Sequence, residues 1–193
     1  MALNKQLVLA SASSRRIDLL AQIGVTPARI IAANIDETPR LREAPVALAK
    51  RLAFEKAAVI AAQEQGALVL AADTVVSVGR RILPKPKNAQ EARACLHLMS
   101  GRGHRVHSGI CLIDGARRWQ RLVTSRVIMR RLGTEDIEAY LAGGEWQGKA
   151  GGYAIQGHAA AFISQIIGSY SNIVGLPLFE TANLLQAAGF RVN

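Results

Sequence analysis

Cysteine is almost missing from this chain, and its scarcity excludes two kinds of site. Cys95 and Cys111 stand too far apart for a CxxC motif and are too few for a disulfide framework. Both read as reduced, half-buried thiols, and neither has a setting that marks a nucleophile. Aromatic residues make up only 5% of the chain, which argues against the stacking platforms that grip single-stranded nucleic acid. No apolar run approaches the roughly 20 residues that cross a bilayer. The opening MALNKQLVLASASSRR places its basic residues after a very short apolar stretch, the reverse of a secretory leader, so a cytoplasmic protein without a membrane segment is expected. GxxxxGK[ST] and GxGxxG are both absent, which leaves no support for a P-loop or a Rossmann nucleotide site.

Acidic residues are also scarce, 14 against 24 lysines and arginines, giving a formal net charge of +10. Such a surplus attracts polyanions, either nucleotides or nucleic acid, without choosing between them. The basic residues are dispersed, with no run of five or six. A chain of 193 residues, half of them apolar, suits one compact domain over 1–193, or two small lobes sharing a core.

Leu7 to Ala10 reads as a buried strand. The serines that follow offer N-caps for a helix carrying Ile17, Leu20 and Ile23, which Gly24 ends. A short strand is expected around Ile30 to Ala33. From Pro45 a long helix repeats Ala49, Leu52, Ala53, Ala57, Ile60 and Ala61 on one side. Leu68 to Ala72, apolar on both faces, reads as a central strand delivering Asp73 and Thr74 at its carboxyl end, where open α/β sheets place ligands. Val75 to Val78 and Ile82 flank Gly79 as a hairpin, and Ala89 to Met99 is helical. Val106 to Ile113 and Trp119 to Met129 meet at Asp114-Gly115 and should pair antiparallel. Thr134 caps a helix over Glu135 to Leu141. Phe162 to Ile167 is a strand, and Pro177 opens a last helix that Gly189 ends. This order favours an α/β or α+β domain on a mixed sheet.

Three segments carry candidate chemistry. In SASSRR (11–16), Ser11, Ser13, Arg15 and Arg16 gather where a strand stops and a helix begins, a place that attracts phosphate through free N–H groups and the helix dipole; an ordinary serine cap with solvated arginines would look the same. Asp36, Glu37 and Asp73, with Lys56 and Lys85 close in sequence, form the acidic set that triphosphate hydrolysis would need to hold a cation and activate water. A carboxylate directly after five apolar residues is costly if buried alone, so Asp73 is exposed, caps a turn, or belongs to a site. Lys85 lies between two prolines that can fix its direction, or is a plain loop lysine. In KAGGYAIQG (149–157) paired glycines let the backbone approach a ligand, and Tyr153 and Gln156 can stack on or hydrogen-bond to a base. His104 and His107 form HxxH, but on a strand their side chains leave opposite faces, which discounts a metal pair. His97 and His158 are isolated, with solvated or structural roles expected.

SASSRR, Asp36-Glu37, AADTVV (71–76), Lys85-Pro86, GRGHRVHSG (101–109), KAGGYAIQG and GSYSNIVGLPL (168–178) together resemble the Maf family, in order over nearly the whole chain. The resemblance implies an inosine triphosphate pyrophosphatase-like fold, a bent mixed β-sheet with flanking helices in two lobes around a cleft, commonly as a homodimer. It implies hydrolysis of nucleoside triphosphates to monophosphate and pyrophosphate with Mg²⁺ or Mn²⁺. Asp73 matches the proton acceptor, and Arg15, Thr74 and Gln156 match positions used for substrate specificity. The Gly-rich motif is similar to that of the subfamily preferring dTTP and UTP. On this reading Glu37 and Asp73 hold or orient the metal, while Arg15, Arg16, Lys56 and Lys85 neutralise the phosphates. Ser14 stands where the family has Pro, and Ser108 where it has Thr. Two rival readings are a pyrophosphatase for 7-methyl-GTP or other modified nucleotides, and a non-catalytic binder of nucleic acid or of division proteins. The acidic cluster argues against a nucleic-acid partner.

Overall fold

A computed structural model describes residues 5–192. Residues 1–4, the start of the stretch read against a secretory leader, and residue 193 lie outside the described residues. In chain order the elements are β1 (Leu7–Leu9), α1 (Ser14–Gln22), β2 (Arg29–Ile30), α2 (Pro45–Gln63), β3 (Leu68–Val78), β4 (Arg81–Leu83), α3 (Ala89–Met99), β5 (Gly103–Asp114), β6 (Arg117–Met129), α4 (Thr134–Ala142), β7 (Ile163–Ile167), α5 (Tyr170–Val174) and α6 (Leu178–Ala187). Among the described residues no helix is long and apolar enough to cross a membrane.

The seven strands form one mixed sheet, six of them in the order β2-β1-β3-β5-β6-β7 and β4 paired to β3 off this path. β1 runs parallel to β2 and β3, whereas β5, β6 and β7 join antiparallel. β5 occupies one edge of β3 from Leu68 to Ser77, so β4, paired at Val76 to Val78, must share the other edge with β1. β1 reaches only to Leu70 on that edge. Residues 71–75 of β3 are therefore unpaired between β1 and β4, and the sheet has a notch.

Two apolar regions are strung along the same long strands. Near β1, one face packs Leu7, Leu9, Leu70 and Ala72 against Leu19 and Leu20 of α1 and Leu184 and Leu185 of α6. The opposite face packs Val8, Val69 and Ala71 against Ala53, Ala57 and Ile60 of α2. Beyond the notch, Val76, Val106, Val127 and Met129 build a separate core with α3, α4, Trp146 and Phe162. These are the two lobes, each fully buried Leu or Ile contributing roughly 1.5–3 kcal/mol relative to exposure. Asp73 and Thr74 fall between Ala72 of the first and Val76 of the second.

Several local expectations need correction. β3 does not end at Ala72: its pairing with β5 continues to Ser77, so Asp73 lies in mid-strand, and the strand that ends beside it is β1. β2 stops at Ile30, short of Ala33: Arg29 and Ile30 are the residues in register with β1, and the Ile31 N–H makes the last bond to it, to the Leu9 carbonyl. Ser13 is the N-cap of α1 but makes no side-chain cap bond; the Ser11 hydroxyl accepts from the Ser13 N–H instead. Gly133, not Thr134, caps α4, with its N–H donating to Asp136. Cys95 and Cys111 are fully rather than half buried, and burial raises both thiol pKa values, Cys111 to about 11. The short helix α5 had no periodicity from which to read it.

Candidate active site

Successive residues of a strand leave opposite faces of the sheet. Asp73 accordingly points to the α2 face and Thr74 to the α1 face, and the notch in the sheet lets both line one cleft of about 290 Å³. On the α2 side, the buried stripe Ala49, Ala53, Lys56, Ile60 sets a lysine where the pattern calls for an apolar residue. Its ammonium lies 2.6 Å from Asp73 Oδ1 and 2.5 Å from Glu37 Oε1. Lys56 and Asp73 are 7% and 5% exposed, so each charge answers the desolvation of the other. Lys85 Nζ donates to the second oxygen of Glu37 at 3.0 Å. Burial resists the charge on Glu37, but the hydrogen bonds and charges of Lys56 and Lys85 outweigh it and bring its pKa down to about 2.

The α1 side is anchored by Arg16. Its guanidinium donates to the Gly175 carbonyl (2.9 Å), to Ser11 Oγ (2.9 Å) and to Thr74 Oγ1 (3.4 Å). Desolvation lowers its pKa, against the attraction of Asp73 and Glu37. Arg16 thus commits three of its five N–H donors to the protein, holding the SASSRR turn, β3 and α5 together. Arg15 lines the cleft beside it with no side-chain hydrogen bond among the described residues. Thr74 Oγ1 also bonds to Ser108 Oγ at 2.9 Å, and Ser108 donates to the Asn172 carbonyl, so the serine found at 108 ties β3 to α5.

The far wall is the Gly-rich segment. Gly151 and Gly152 both take φ of 70°, and side chains there would press on Val76 and Pro86. Gln156 is exposed on this wall, beside buried Ala154 and Ile155. Tyr153 also lines the cleft, but its hydroxyl turns away to His104, so it does not offer that group to a ligand. Lys149 lines the cleft as well, a basic residue of the motif that the spacing did not single out. Burial and the nearby charge of Arg15 lower its pKa, and Glu145 opposes them. Ser13, Arg15, Arg16, Lys56, Asp73, Thr74, Lys85 and Gln156 all line this cleft; Ser11 and Glu37 line a smaller chamber of about 170 Å³ that shares Ser13, Arg16, Lys56 and Lys85 with it. Asp36 stays apart, exposed, accepting from the Thr38 N–H. His104 and His107 are buried on opposite faces of β5, one against Tyr153 and the other between Ser77 and Thr124.

Among the described residues no three His, Cys, Asp or Glu side chains gather to hold a metal by themselves. Glu37 and Asp73 do converge: each has an oxygen on the Lys56 ammonium, so those oxygens lie no more than about 5 Å apart. Two carboxylates with an open side fit a Mg²⁺-type ion, which takes one or two protein carboxylates and completes its shell with water and ligand oxygens.

A family described as Maf-like protein matches residues 6–188. The dTTP/UTP pyrophosphatase of Paramagnetospirillum magneticum is 59% identical over 95% of this chain and 97% of its own length. Those of Mesorhizobium japonicum and Rhizobium meliloti are 56% and 53% identical, each over 100% of this chain and 96% and 97% of their own. Among solved structures, the Ham1 protein of Staphylococcus aureus aligns with a TM-score of 0.42 at 14% identity, over 65% of this chain and 72% of that one.

Proposed function

The chain belongs to the Maf family, and on that premise we propose that it hydrolyses dTTP and UTP to the monophosphate and pyrophosphate, keeping house in the nucleotide pool. The observation that carries this reading is the buried Asp73 carboxylate, opened to a cleft by the notch in the sheet and set beside Lys56 and Glu37. Glu37 and Asp73 would hold a divalent cation, which when bound supplies charge neutralisation of the phosphate oxygens.

The chain's own residues do the rest. Lys56, Lys85 and Arg15 meet the triphosphate with positive charge where its own charge builds up, the main demand of phosphoryl transfer. Arg16 contributes its charge from behind Thr74 and fixes the turn that carries Ser11 and Ser13, where the N-terminus of α1 draws phosphate. Asp73 takes the proton from a water that attacks the α-phosphorus in line with the departing pyrophosphate. A side-chain amide offers one donor and one acceptor, the complement of the O4 and N3–H of uracil or thymine, so Gln156 reads the base and Thr74 the sugar side. As a single domain over residues 1–193 the protein would act in the cytoplasm as a homodimer, which the family resemblance implies.

Purified protein is incubated with dTTP, UTP, CTP, GTP, ATP and 7-methyl-GTP plus Mg²⁺ or Mn²⁺ in ¹⁸O-water, with product analysis. Monophosphate carrying ¹⁸O and unlabelled pyrophosphate, fastest from dTTP and UTP, is expected. Label in pyrophosphate, release of orthophosphate, or preference for 7-methyl-GTP would contradict it.

A further inference from the structure

The wall that carries Gln156 has no strand or α-helix of its own between Lys149 and His158, yet it is fastened at four points. Gly151 N–H donates to the Pro84 carbonyl at 3.0 Å, next to Lys85. The Tyr153 hydroxyl shares a 2.7 Å hydrogen bond with His104 Nε2, the two rings edge to face at 5.2 Å. Ala154 N–H donates to the Tyr140 hydroxyl at 3.2 Å. His158 N–H donates to the Glu145 carboxylate at 2.9 Å, which sits where a Cβ on Gly157 would collide with it. Between the last two fastenings only residues 155–157 bridge; Ile155 and Gln156 both line the cleft, and Gln156 is the exposed one and brings the polar side chain.

His104 is the costly member of this set. It is 1% exposed, its Nδ1 is buried with no hydrogen-bond partner among the described residues, and burial brings its pKa down to about 4. A buried polar atom left unsatisfied destabilises a fold, and an apolar residue on this inner face of β5 would avoid that cost. What the histidine adds is a single bond, to the tyrosine three residues before Gln156. We propose that His104 is a positioning residue for substrate selection: through the Tyr153 hydroxyl it fixes how far Gln156 enters the cleft, and thereby sets the preference for uracil and thymine over cytosine. This inference rests on the proposed triphosphate hydrolysis and deepens it, since His104, which does not line the cleft, would act on the base through Tyr153.

The test compares kcat/KM for UTP and CTP in the full-length protein and four single variants, with thermal unfolding of each. Tyr153→Phe removes one oxygen and keeps the ring; His104→Phe removes the partner; His104→Gln places an amide near the lost Nε2; Gln156→Ala removes the reader. The UTP-to-CTP ratio of kcat/KM should fall roughly tenfold in Tyr153→Phe and His104→Phe, through a higher KM for UTP with kcat within about twofold, and His104→Gln should restore most of it. Combining Tyr153→Phe with Gln156→Ala should lower the ratio no further than Gln156→Ala alone, because both act through one side chain. An unchanged ratio in the folded Tyr153→Phe protein, or ratios that multiply in the double variant, would overturn the inference while the proposed function stood. Wild type that turns over neither UTP nor dTTP would sink both.

Discussion

Gly109 lies directly across the sheet from Asp73, and the side chain it lacks is what allows Lys56 to reach that carboxylate. A Cβ at Gly109 would collide with the Ala49 carbonyl of α2, so the helix can settle on the sheet only over a glycine. Gly109→Ala should lift α2 and draw Lys56 away from Asp73. Loss of roughly 1–3 kcal/mol of stability in urea unfolding, with a fall in turnover larger than the change in KM, is expected. Full stability with wild-type turnover would show that the close approach has no bearing on the site.

Lys56 joins Asp73 and Glu37 through a single ammonium. Lys56→Met should leave the buried Asp73 carboxylate without its counter-charge, at a cost of roughly 3–5 kcal/mol, and reduce turnover about 100-fold or more. Adding Asp73→Leu should recover stability without recovering turnover, because an apolar pair of similar volume replaces the ion pair. Unfolding midpoints and initial rates on the same samples separate the two effects.

The neighbouring arginines should part company. Arg16 donates to Ser11, Thr74 and Gly175, so Arg16→Met should lower the melting temperature together with turnover. Arg15 has no such bonds among the described residues, and Arg15→Met should leave the melting temperature within about a degree while raising KM for UTP roughly tenfold. Equal thermal losses in the two variants would contradict this division.

His104 makes stability depend on pH in a narrow window. Its pKa falls from 6.5 to about 4 on folding through burial. Between those values the unfolded chain binds more protons than the folded one, so stability rises with pH there, by on the order of 3 kcal/mol over the whole window. His107, also lowered by burial and by Arg105, adds in the same direction. Glu37 loses its contribution only below this, as pH falls from 4.5 toward about 2. Urea midpoints at pH 7 and 5.5 should therefore differ in wild type and differ less in His104→Gln; equal slopes would refute the assignment.

Much of this was legible in the chain because local chemistry and global fold agree. The apolar run before Asp73, the 3–4 spacing of α2 and the Asp114-Gly115 turn each specify an element found in the structure. Lys56 shows the same logic more sharply, since a lysine in register with Ala49, Ala53 and Ile60 has to meet a carboxylate inside. Other features depend on tertiary partners. That Asp73 sits in mid-strand follows from β5 pairing with β3 as far as Ser77, and that it opens to a cleft follows from β1 ending early, both facts about other segments. Arg15 and Arg16 look alike in sequence, and what separates them is the partners Arg16 finds in the fold, among them the carbonyl of Gly175, 159 positions later. The Tyr153 hydroxyl could not be aimed at His104 before β5 and the Gly-rich wall were in place.

The central claim is that Asp73 accepts the proton of the attacking water, and the most direct measurement is the kcat of Asp73→Asn for dTTP and UTP at saturating metal. Asn keeps the shape and an oxygen that can still accept from Lys56, so the fold should persist, as near-wild-type thermal unfolding would verify. The account predicts a loss of about 100-fold or more in kcat with KM little changed. Turnover close to wild type in that folded variant would contradict it.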